Sequence, residues 1–345
     1  MYVVDAAQMR RIEQRATEVY GIPSVLLMEN AALAVVREIR KHVAALGRAE
    51  AGLKVAVLVG KGNNGGDGMA VARHLSLLAM DVTVLILAQP SVFQGDALLN
   101  FRLLRETDCK LFVIDGEKQL RLTRLALSQA AVVVDALYGT GLRGAMPSLA
   151  EECVKEVNAL PVWVIAVDIP SGLEADRGIV CRTAVRADQT VTFGLPKLGH
   201  FLASGPEYCG ELTVDPISIP AKYLEDEEAN VTVLTDKIIK QLLPVRSFHG
   251  HKGVHGRGIL VAGALGMSGA AILAGKGALR SGIGLLQLVV PEGIAAAVDA
   301  GLTEATVWPA AGDHFLRAGA WTVIEERCQG AQALAVGPGL GENPE

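Results

Sequence analysis

The sequence lacks long hydrophobic runs and paired cysteines. No segment provides the roughly 18 uninterrupted apolar residues that a membrane-spanning helix requires. The N-terminal stretch "MYVVDAAQMRRIEQRA" also lacks the apolar centre of a signal peptide. The five cysteines form neither a C-x-x-C pair nor a regular framework, which is typical of reduced thiols. We therefore expect a cytoplasmic protein that is neither exported nor embedded in a membrane.

A strong excess of charge of one sign is absent as well. The net charge is −5 and the Lys and Arg residues are scattered, so no basic stripe of the kind that binds nucleic acid or a membrane surface is present. Of the 345 residues, 50% are apolar and 20% are charged, a composition that allows a large buried core. These proportions favour a globular protein with a small-molecule ligand.

From Lys54 onward, short apolar runs alternate with helical stretches. The runs "KVAVLVG", "VTVLILA", "KLFVI", "AVVVDALYG" and "VWVIAVDIPSG" have the length and apolar character of buried strands. Such alternation predicts an α/β domain in which helices cover both faces of a mostly parallel sheet. The runs "DQTVTFG" and "GELTVDPI" add strands near an edge. We assign residues 1–220 to this domain.

A polar segment with a run of acidic residues interrupts the series, and we interpret residues 221–234 as a linker. The alternation then resumes with the strand "GRGILVAGA", the helix "SGAAILAGKGALRSG" and the strands "LLQLVV" and "ALAVGPGLG". We assign residues 235–345 to the start of a second α/β domain. We expect this domain to be incomplete, because it stops after a glycine-rich turn that should open another helix.

The first strand is followed by the loop "GKGNNGGDG", which fits the G-x-G-x-x-G pattern of dinucleotide-binding proteins. Those proteins carry an acidic residue about 20 positions further, at the end of the second strand, where this sequence has Gln89. The nearby Asp81 precedes that strand and would lie at the opposite edge of the sheet. Ordinary dehydrogenase chemistry is therefore disfavoured, and a simple tight turn remains an alternative.

Polar side chains follow three of the predicted strands. Because ligands bind outside the carboxyl ends of the strands in an open parallel sheet, we expect these side chains to lie together. Their oxygens suit a hard cation or a hydroxylated ligand, and the helix that begins near Asp67 can receive phosphate on its first N–H groups. Each group taken alone also suits capping or turn formation. The residues are Asn63, Asn64 and Asp67 after the first strand, Asp135 with "YGTGLRG", and Asp168 with Ser171.

Four segments, "GKGNNGGDG", "VDALYGTGLRG", "AVDIPSGL" and "ADQTVTFGLPKLGH", resemble the NAD(P)H-hydrate epimerases in order and spacing. Beyond the linker, "HKGVHGRGILVAGALGMSGAAILAGKGALRSGIGLL" and "AVGPGLG" resemble the ADP- or ATP-dependent NAD(P)H-hydrate dehydratases. The resemblance implies a three-layer Rossmann-like epimerase domain followed by the incomplete start of a ribokinase-like domain. It also implies nicotinamide nucleotide repair, in which the R and S forms of hydrated NADH or NADPH are interconverted.

The resemblance implies roles for individual residues. Asp168 is the expected catalytic acid-base group, because a partly desolvated carboxylate at a strand end suits proton transfer. A potassium ion is expected at Asn64, Asp135 and Ser171. Lys197 is left open between a contact with phosphate or the carboxylate site and a solvated side chain. The implied substrate-binding residues are Asn63, Asn64, Gly65, Gly66, Asp67, Gly139, Thr140, Gly141, Leu142, Arg143, Gly144, Ala145, Asp168, Ala270 and Gly339.

The same resemblance places the dehydratase's catalytic Asp and most of its adenine-nucleotide contacts in a segment beyond Glu345. We therefore expect ADP or ATP with Mg²⁺ to serve only a complete dehydratase domain, and this chain to show no nucleotide-dependent dehydration. A homo-oligomer is expected. A non-catalytic epimerase-like scaffold is the rival hypothesis, and a small-molecule kinase is disfavoured because the catalytic segment is missing.

Overall fold

The computed structural model describes residues 2–224, 231–243 and 250–342. The chain divides into two compact units, which comprise Met1–Ile238 and Ile239–Glu345. Each unit is an α/β structure with its own parallel sheet. Within the described residues, no helix combines the length and apolar character needed to cross a bilayer.

The secondary structure follows the predicted alternation. The strands are β1 (Tyr2–Val3), β2 (Lys54–Val59), β3 (Asp81–Ile86), β4 (Lys110–Val113), β5 (Val132–Ala136), β6 (Trp163–Val167), β7 (Gln189–Phe193), β8 (Glu211–Asp215), β9 (Val231–Thr232), β10 (Arg257–Val261), β11 (Leu285–Pro291), β12 (Thr306–Ala310) and β13 (Ala333–Val336). The helices are α1 (Ala6–Glu18), α2 (Ser24–Ala45), α3 (Asn63–Leu77), α4 (Gly95–Leu104), α5 (Glu117–Gln129), α6 (Ser148–Asn158), α7 (Gly205–Cys209), α8 (Asp236–Leu242), α9 (Ser268–Ser281), α10 (Glu292–Gly301) and α11 (Trp321–Cys328).

The sheet of the first unit has seven strands in the order β4-β3-β2-β5-β6-β7-β8. All neighbouring pairs are parallel. The direction of strand order reverses between β2 and β5, and a crevice at such a reversal is the usual ligand site of open α/β sheets. The predicted α/β class and parallel sheet are confirmed.

Side chains of β2 alternate between the two faces of the sheet, as the twofold period of a strand requires. Val57 and Val59 belong to a core that also contains Ile39 of α2 and Leu75 of α3. Leu58 belongs to a second core on the other face, which includes side chains of α5 and α6. Helices therefore cover both faces, and the unit has three layers.

The N-terminal helix α1 begins directly after its N-cap, Asp5. Asp5 Oδ1 accepts a hydrogen bond from the backbone N–H of Gln8 at 2.7 Å, and Gln8 Oε1 accepts one from the N–H of Asp5 at 2.8 Å. This capping box satisfies two N–H groups that would otherwise lack partners. The next residue is also fixed, because the N–H of Ala6 donates to Asp176 Oδ1 at 2.7 Å. The start of α1 is thus anchored to the segment that follows β6.

Helix α3 begins earlier than expected. Its first residue is Asn63 and Gly62 is its N-cap, so Asp67 lies in the second turn and not at the start of the helix. The glycine-rich sequence permits this tight connection, because a Cβ on Gly65 would lie 2.0 Å from the carbonyl oxygen of Gly60. The N–H groups at the helix terminus therefore belong to the asparagines and the glycines that follow them.

The described part of the predicted linker is built into the first unit. Tyr223 stacks on Tyr20, with ring centroids 3.3 Å apart, and β9 pairs antiparallel with β1. Residues 225–230 of the predicted linker lie outside the described residues.

The second unit has a four-stranded sheet in the order β12-β11-β10-β13. Neighbouring strands are parallel, and apolar side chains of β10 alternate between two cores. The strand β12 was not predicted, because its segment "TVWPA" contains a proline, a residue that disfavours assignment as a central strand.

Candidate active site

The carboxyl ends of β2, β5 and β6 surround a cavity of about 580 Å³. The start of α3, the loop after β5 and the residue after β6 all contribute to its walls, and α1 closes one side. This is the reversal point of the sheet, where parallel topology brings separate loops together. The predicted residues that line it are Asn63, Asn64, Asp67, Gly139, Thr140, Gly141, Leu142, Arg143 and Asp168.

The remaining predicted residues do not line this cavity. Gly65 and Gly66 pack behind it, where added Cβ atoms would meet the carbonyl oxygen of Gly60 and the side chain of Met28. Gly144 and Ala145 continue the loop beyond the lining residues. In the second unit, Gly339 lies against Ala270, since a Cβ on the glycine would be 2.7 Å from the alanine Cβ.

Asp168 is held by a buried lysine. Lys197 Nζ donates to Asp168 Oδ1 at 2.5 Å, and this lysine side chain is only 1% exposed. Lys197 Nζ also donates to Thr192 Oγ1 and to the carbonyl oxygen of Phe193. A buried ammonium group needs such partners. Of the alternatives left open for Lys197, the structure therefore shows the contact with the carboxylate site.

Burial alone would favour the neutral form of Asp168. The charge of Lys197 and its hydrogen bond outweigh burial and hold the pKa of this carboxyl below its ordinary value. Thr192 Oγ1 donates a further hydrogen bond at 2.9 Å. The backbone of Asp168 has a φ of 65°, in the left-handed region that non-glycine residues seldom adopt. The site therefore fixes an ionised carboxylate in a constrained orientation.

His200 forms a hydrogen bond with the backbone of the same residue, Asp168. The backbone N–H of Lys197 donates to His200 Nδ1 at 3.1 Å, so the ring proton resides on Nε2 and is donated to the carbonyl oxygen of Asp168 at 3.0 Å. Burial, assisted by the Lys197 charge, lowers the pKa of His200 to about 4. The imidazole is thus neutral, and its two hydrogen bonds hold the backbone of Asp168 in place.

The predicted ion ligands Asp135 and Ser171 are in direct contact. Ser171 Oγ donates to Asp135 Oδ1 at 2.6 Å, and the Ser171 N–H donates to Asp135 Oδ2 at 2.7 Å. Asp135 is fully buried, and burial raises its pKa to about 6 despite these hydrogen bonds. Asn64 packs on Gly139 in the loop after β5. Its Nδ2 is buried, and none of the described residues accepts a hydrogen bond from it.

The contribution of α1 to the cavity was not predicted from the sequence. Arg10 and Glu13 line the cavity together with the predicted loops. Glu13 follows Ile12, a fully buried core residue, and the segment has the ordinary pattern of an amphipathic helix. No local motif distinguishes a solvent-facing glutamate from one that a second element directs into a cavity.

Known proteins share this arrangement of segments. A family model described as YjeF-related protein N-terminus matches residues 24–199, which is more than half of the chain. The chain belongs to this family. A second model, described as NAD(P)H-hydrate dehydratase, matches residues 259–345.

Two curated relatives are bifunctional NAD(P)H-hydrate repair enzymes Nnr. That of Moorella thermoacetica is 39% identical over 100% of this chain, and that of Thermofilum pendens is 37% identical over 99%. The chain spans 65% and 63% of the lengths of these two relatives. Among solved structures, the yeast protein ynu0 matches 65% of this chain, and 92% of its own, with a TM-score of 0.56. At 22% identity, that match shows a shared fold.

Proposed function

We propose that the YjeF-related unit of this chain epimerises the R and S forms of hydrated NADH and NADPH. The observation that carries the proposal is the ionised Asp168 carboxylate at the wall of a cavity formed where the strand order reverses. The substrate is a hemiaminal, and inversion at its hydroxyl-bearing carbon requires proton transfer at oxygen. A carboxylate that a buried lysine keeps charged is suited to accept that proton.

The cavity also supports recognition of a dinucleotide. The first residues of α3 and its N-cap Gly62 line the cavity, and the N–H groups of a helix N-terminus are suited to phosphate. Lys61, Arg10 and Arg143 add positive charge to the lining. Arg143 Nη2 donates to Asp176 Oδ2 at 2.9 Å, which connects the loop after β5 to the anchored start of α1. Phosphates would be neutralised here while the reacting ring lies near Asp168.

We further propose that Asn64, Asp135 and Ser171 hold a potassium ion. The donor set fits a monovalent cation, since it offers hard oxygens and a single buried carboxylate for which the described residues provide no cationic partner. Within the described residues, no group of three or more His, Cys, Asp or Glu side chains is arranged to hold a metal. When bound, the ion would supply positive charge that stabilises the loops around the substrate.

Measured interconversion of the two epimers of hydrated NADPH tests the enzymatic proposal. We expect the wild-type chain to accelerate it and Asp168→Asn to lose about 10²- to 10⁴-fold of the rate, the usual contribution of one proton-transferring group. Asp108→Asn, which alters an exposed aspartate between α4 and β4, is the matched control and should retain full rate. A folded Asp168→Asn protein with unchanged turnover would remove Asp168 from the mechanism.

The ion proposal has an independent test in thermal unfolding. Potassium chloride should raise the melting temperature of the wild-type chain above that in choline chloride at equal ionic strength, because a ligand that binds only the folded state stabilises it. Asp135→Asn should abolish the difference, since the amide supplies no charge. A potassium-dependent increase of equal size in both proteins would place the ion elsewhere.

Three further properties are proposals of the same kind. The match of residues 259–345 supports a dehydratase domain that, when complete, uses ADP or ATP with Mg²⁺. All five cysteines are free thiols, which supports a cytoplasmic location.

The exposed apolar side chains of Leu33, Leu99 and Leu103 support a homo-oligomer, which sedimentation velocity would test.

A further inference from the structure

Three carboxyl groups face the same cavity, but their surroundings differ. Asp168 is bound to Lys197 and Thr192, whereas Glu13 and Asp67 have no side-chain hydrogen bond or ion pair to a neighbour within the described residues. Glu13 and Asp67 also line an adjoining cavity of about 310 Å³. Two carboxyl groups that no described residue pairs with therefore line space that a ligand can occupy.

The cavity also contains a polar group that points to a bound molecule. Asn64, which is 9% exposed, has a buried Nδ2 with no hydrogen-bond acceptor among the residues that the structure describes. A buried donor of this kind is costly unless it is satisfied by a ligand or water. The uncommitted carboxyl groups and the unsatisfied amide thus lie in one lined space.

Inversion of a hemiaminal requires two proton-transfer steps. One group must protonate the departing hydroxyl, and another must remove a proton from the water that adds to the opposite face. A single carboxylate fixed by Lys197 cannot supply a proton at the start, because it is already ionised. The proposed reaction therefore needs an acid in addition to Asp168.

From this arrangement, and resting on the proposed epimerase function, we infer that Asp67 is the catalytic acid and that Glu13 is the positioning residue that keeps its proton in place. The Asp67 carboxyl donates its proton to the hydroxyl oxygen, the carbon–oxygen bond breaks, and water leaves. The ring-nitrogen lone pair forms a carbon–nitrogen double bond. Water then adds to the other face, that electron pair returns to nitrogen, and Asp168 takes the released proton. Exchange with solvent restores both carboxyl groups, and the reverse reaction uses them in exchanged roles.

The electrostatics agree with this division of roles. Burial, together with the charges of Asp168 and Glu13, raises the pKa of Asp67 well above its ordinary value, and burial raises the pKa of Glu13. Environments that shift two carboxyl groups in opposite directions assign one as acid and the other as base. The charged groups around Asp67 are Arg10 and Glu13 of α1, Lys61 before α3, Asp96 of α4, Asp168 after β6 and Lys197.

Epimerisation of hydrated NADPH by the full chain, measured as a function of pH, tests the inference. Asp67→Asn should lower kcat by about 10²- to 10⁴-fold with a much smaller change in KM, because the amide keeps the shape but cannot donate an acidic proton. Asp108→Asn serves as its control. Retention of at least half of the wild-type kcat by a folded Asp67→Asn protein would overturn the acid assignment.

Glu13→Gln supplies a second readout that a purely structural role would not change. Removing the negative charge of Glu13 lowers the pKa of Asp67, so the decline of kcat at high pH should move to lower pH. Glu18→Gln, an exposed change on the same helix, should leave the profile in place. An unshifted profile in Glu13→Gln would overturn the role of Glu13, and this test remains available if Asp67→Asn does not fold. Absence of epimerisation by the wild-type chain would instead contradict the proposed function itself.

Discussion

At the scale of single residues, the site depends on charges that the fold has removed from water. Lys197 is almost entirely buried, and its ammonium group contacts a carboxylate, a hydroxyl and a carbonyl oxygen. Breaking such a pair leaves an uncompensated charge, which is far more destabilising than losing an exposed ion pair. His200 completes the arrangement without adding charge, because its imidazole is neutral.

The neutrality of His200 predicts acid sensitivity of the first unit. Its pKa of about 4 is below the value of 6.5 expected in the unfolded chain, so the unfolded state binds the extra proton as the pH falls. The contribution of His200 to the free energy of unfolding is therefore present above pH 6.5 and is lost progressively as the pH falls to about 4. Between pH 7 and pH 5 the expected loss is about 2 kcal/mol. Urea titrations at the two pH values, with unfolding of β5 to β7 followed by pulsed hydrogen exchange, measure it.

His200→Gln provides the comparison, because glutamine cannot titrate and can still donate to the carbonyl oxygen of Asp168. The variant should be less stable at pH 7 but should lose about 2 kcal/mol less than the wild type when the pH is lowered to 5. Equal losses in the two proteins would show that His200 does not carry the acid sensitivity.

Much of the fold could be predicted at this scale, but the site only in part. The apolar runs and the polar residues near their ends predict the parallel sheet and the edge at which Asn64 and Asp168 line one cavity, since parallel topology places both there. Asp135 lies within β5 and does not line that cavity. The contact between Lys197 and Asp168 joins residues 29 positions apart, and no local pattern distinguishes a buried lysine from a solvated one. Glu13 shows the same limit, because the direction of its side chain depends on the packing of α1.

At the scale of elements, the connection from β2 to α3 sets the position of the loop. The chain turns so sharply that the backbone at Gly65 lies against the backbone at Gly60. A Cβ added at Gly65 would lie only 2.0 Å from the carbonyl oxygen of Gly60. Gly60 is equally confined, with Leu137 O 1.8 Å from its ideal Cβ. The connection therefore joins the loop after β2 to the loop after β5, and both line the cavity.

Gly65→Ala should disturb this connection, whereas Gly62→Ala should not; because Gly62 lines the cavity, it is the control for stability alone. The first substitution forces the main chain apart and should cost about 1 to 3 kcal/mol of stability, with a higher KM for hydrated NADPH because the start of α3 moves. A Cβ added at Gly62 would meet no atom within 4 Å, and the φ of Gly62 is negative, so alanine fits there without strain. Thermal unfolding and initial-rate kinetics of both variants test the prediction. Equal losses of stability in the two variants would exclude close backbone contact as the reason for glycine at position 65.

At the scale of the whole molecule, every described residue that lines the proposed site belongs to the first unit, Met1–Ile238. That unit contains the seven-stranded sheet with helices on both faces and its own cores. The second unit has a separate sheet and separate cores. The two matched family models divide the chain in the same way, with residues 24–199 in the first unit and 259–345 in the second.

A polypeptide of residues 1–238 should therefore fold and epimerise hydrated NADPH with the kcat and KM of the whole chain. The physical reason is that the proposed acid, base, phosphate-binding helix terminus and potassium ligands all belong to this one compact unit, which has its own core. The fragment should also retain the potassium-dependent increase in melting temperature, and the same fragment carrying Asp168→Asn should be inactive. Circular dichroism would establish that both fragments are folded before rates are compared. A folded fragment of 1–238 with no epimerase activity would show that residues beyond 238 complete the site, and the assignment of catalysis to the first unit alone would be wrong.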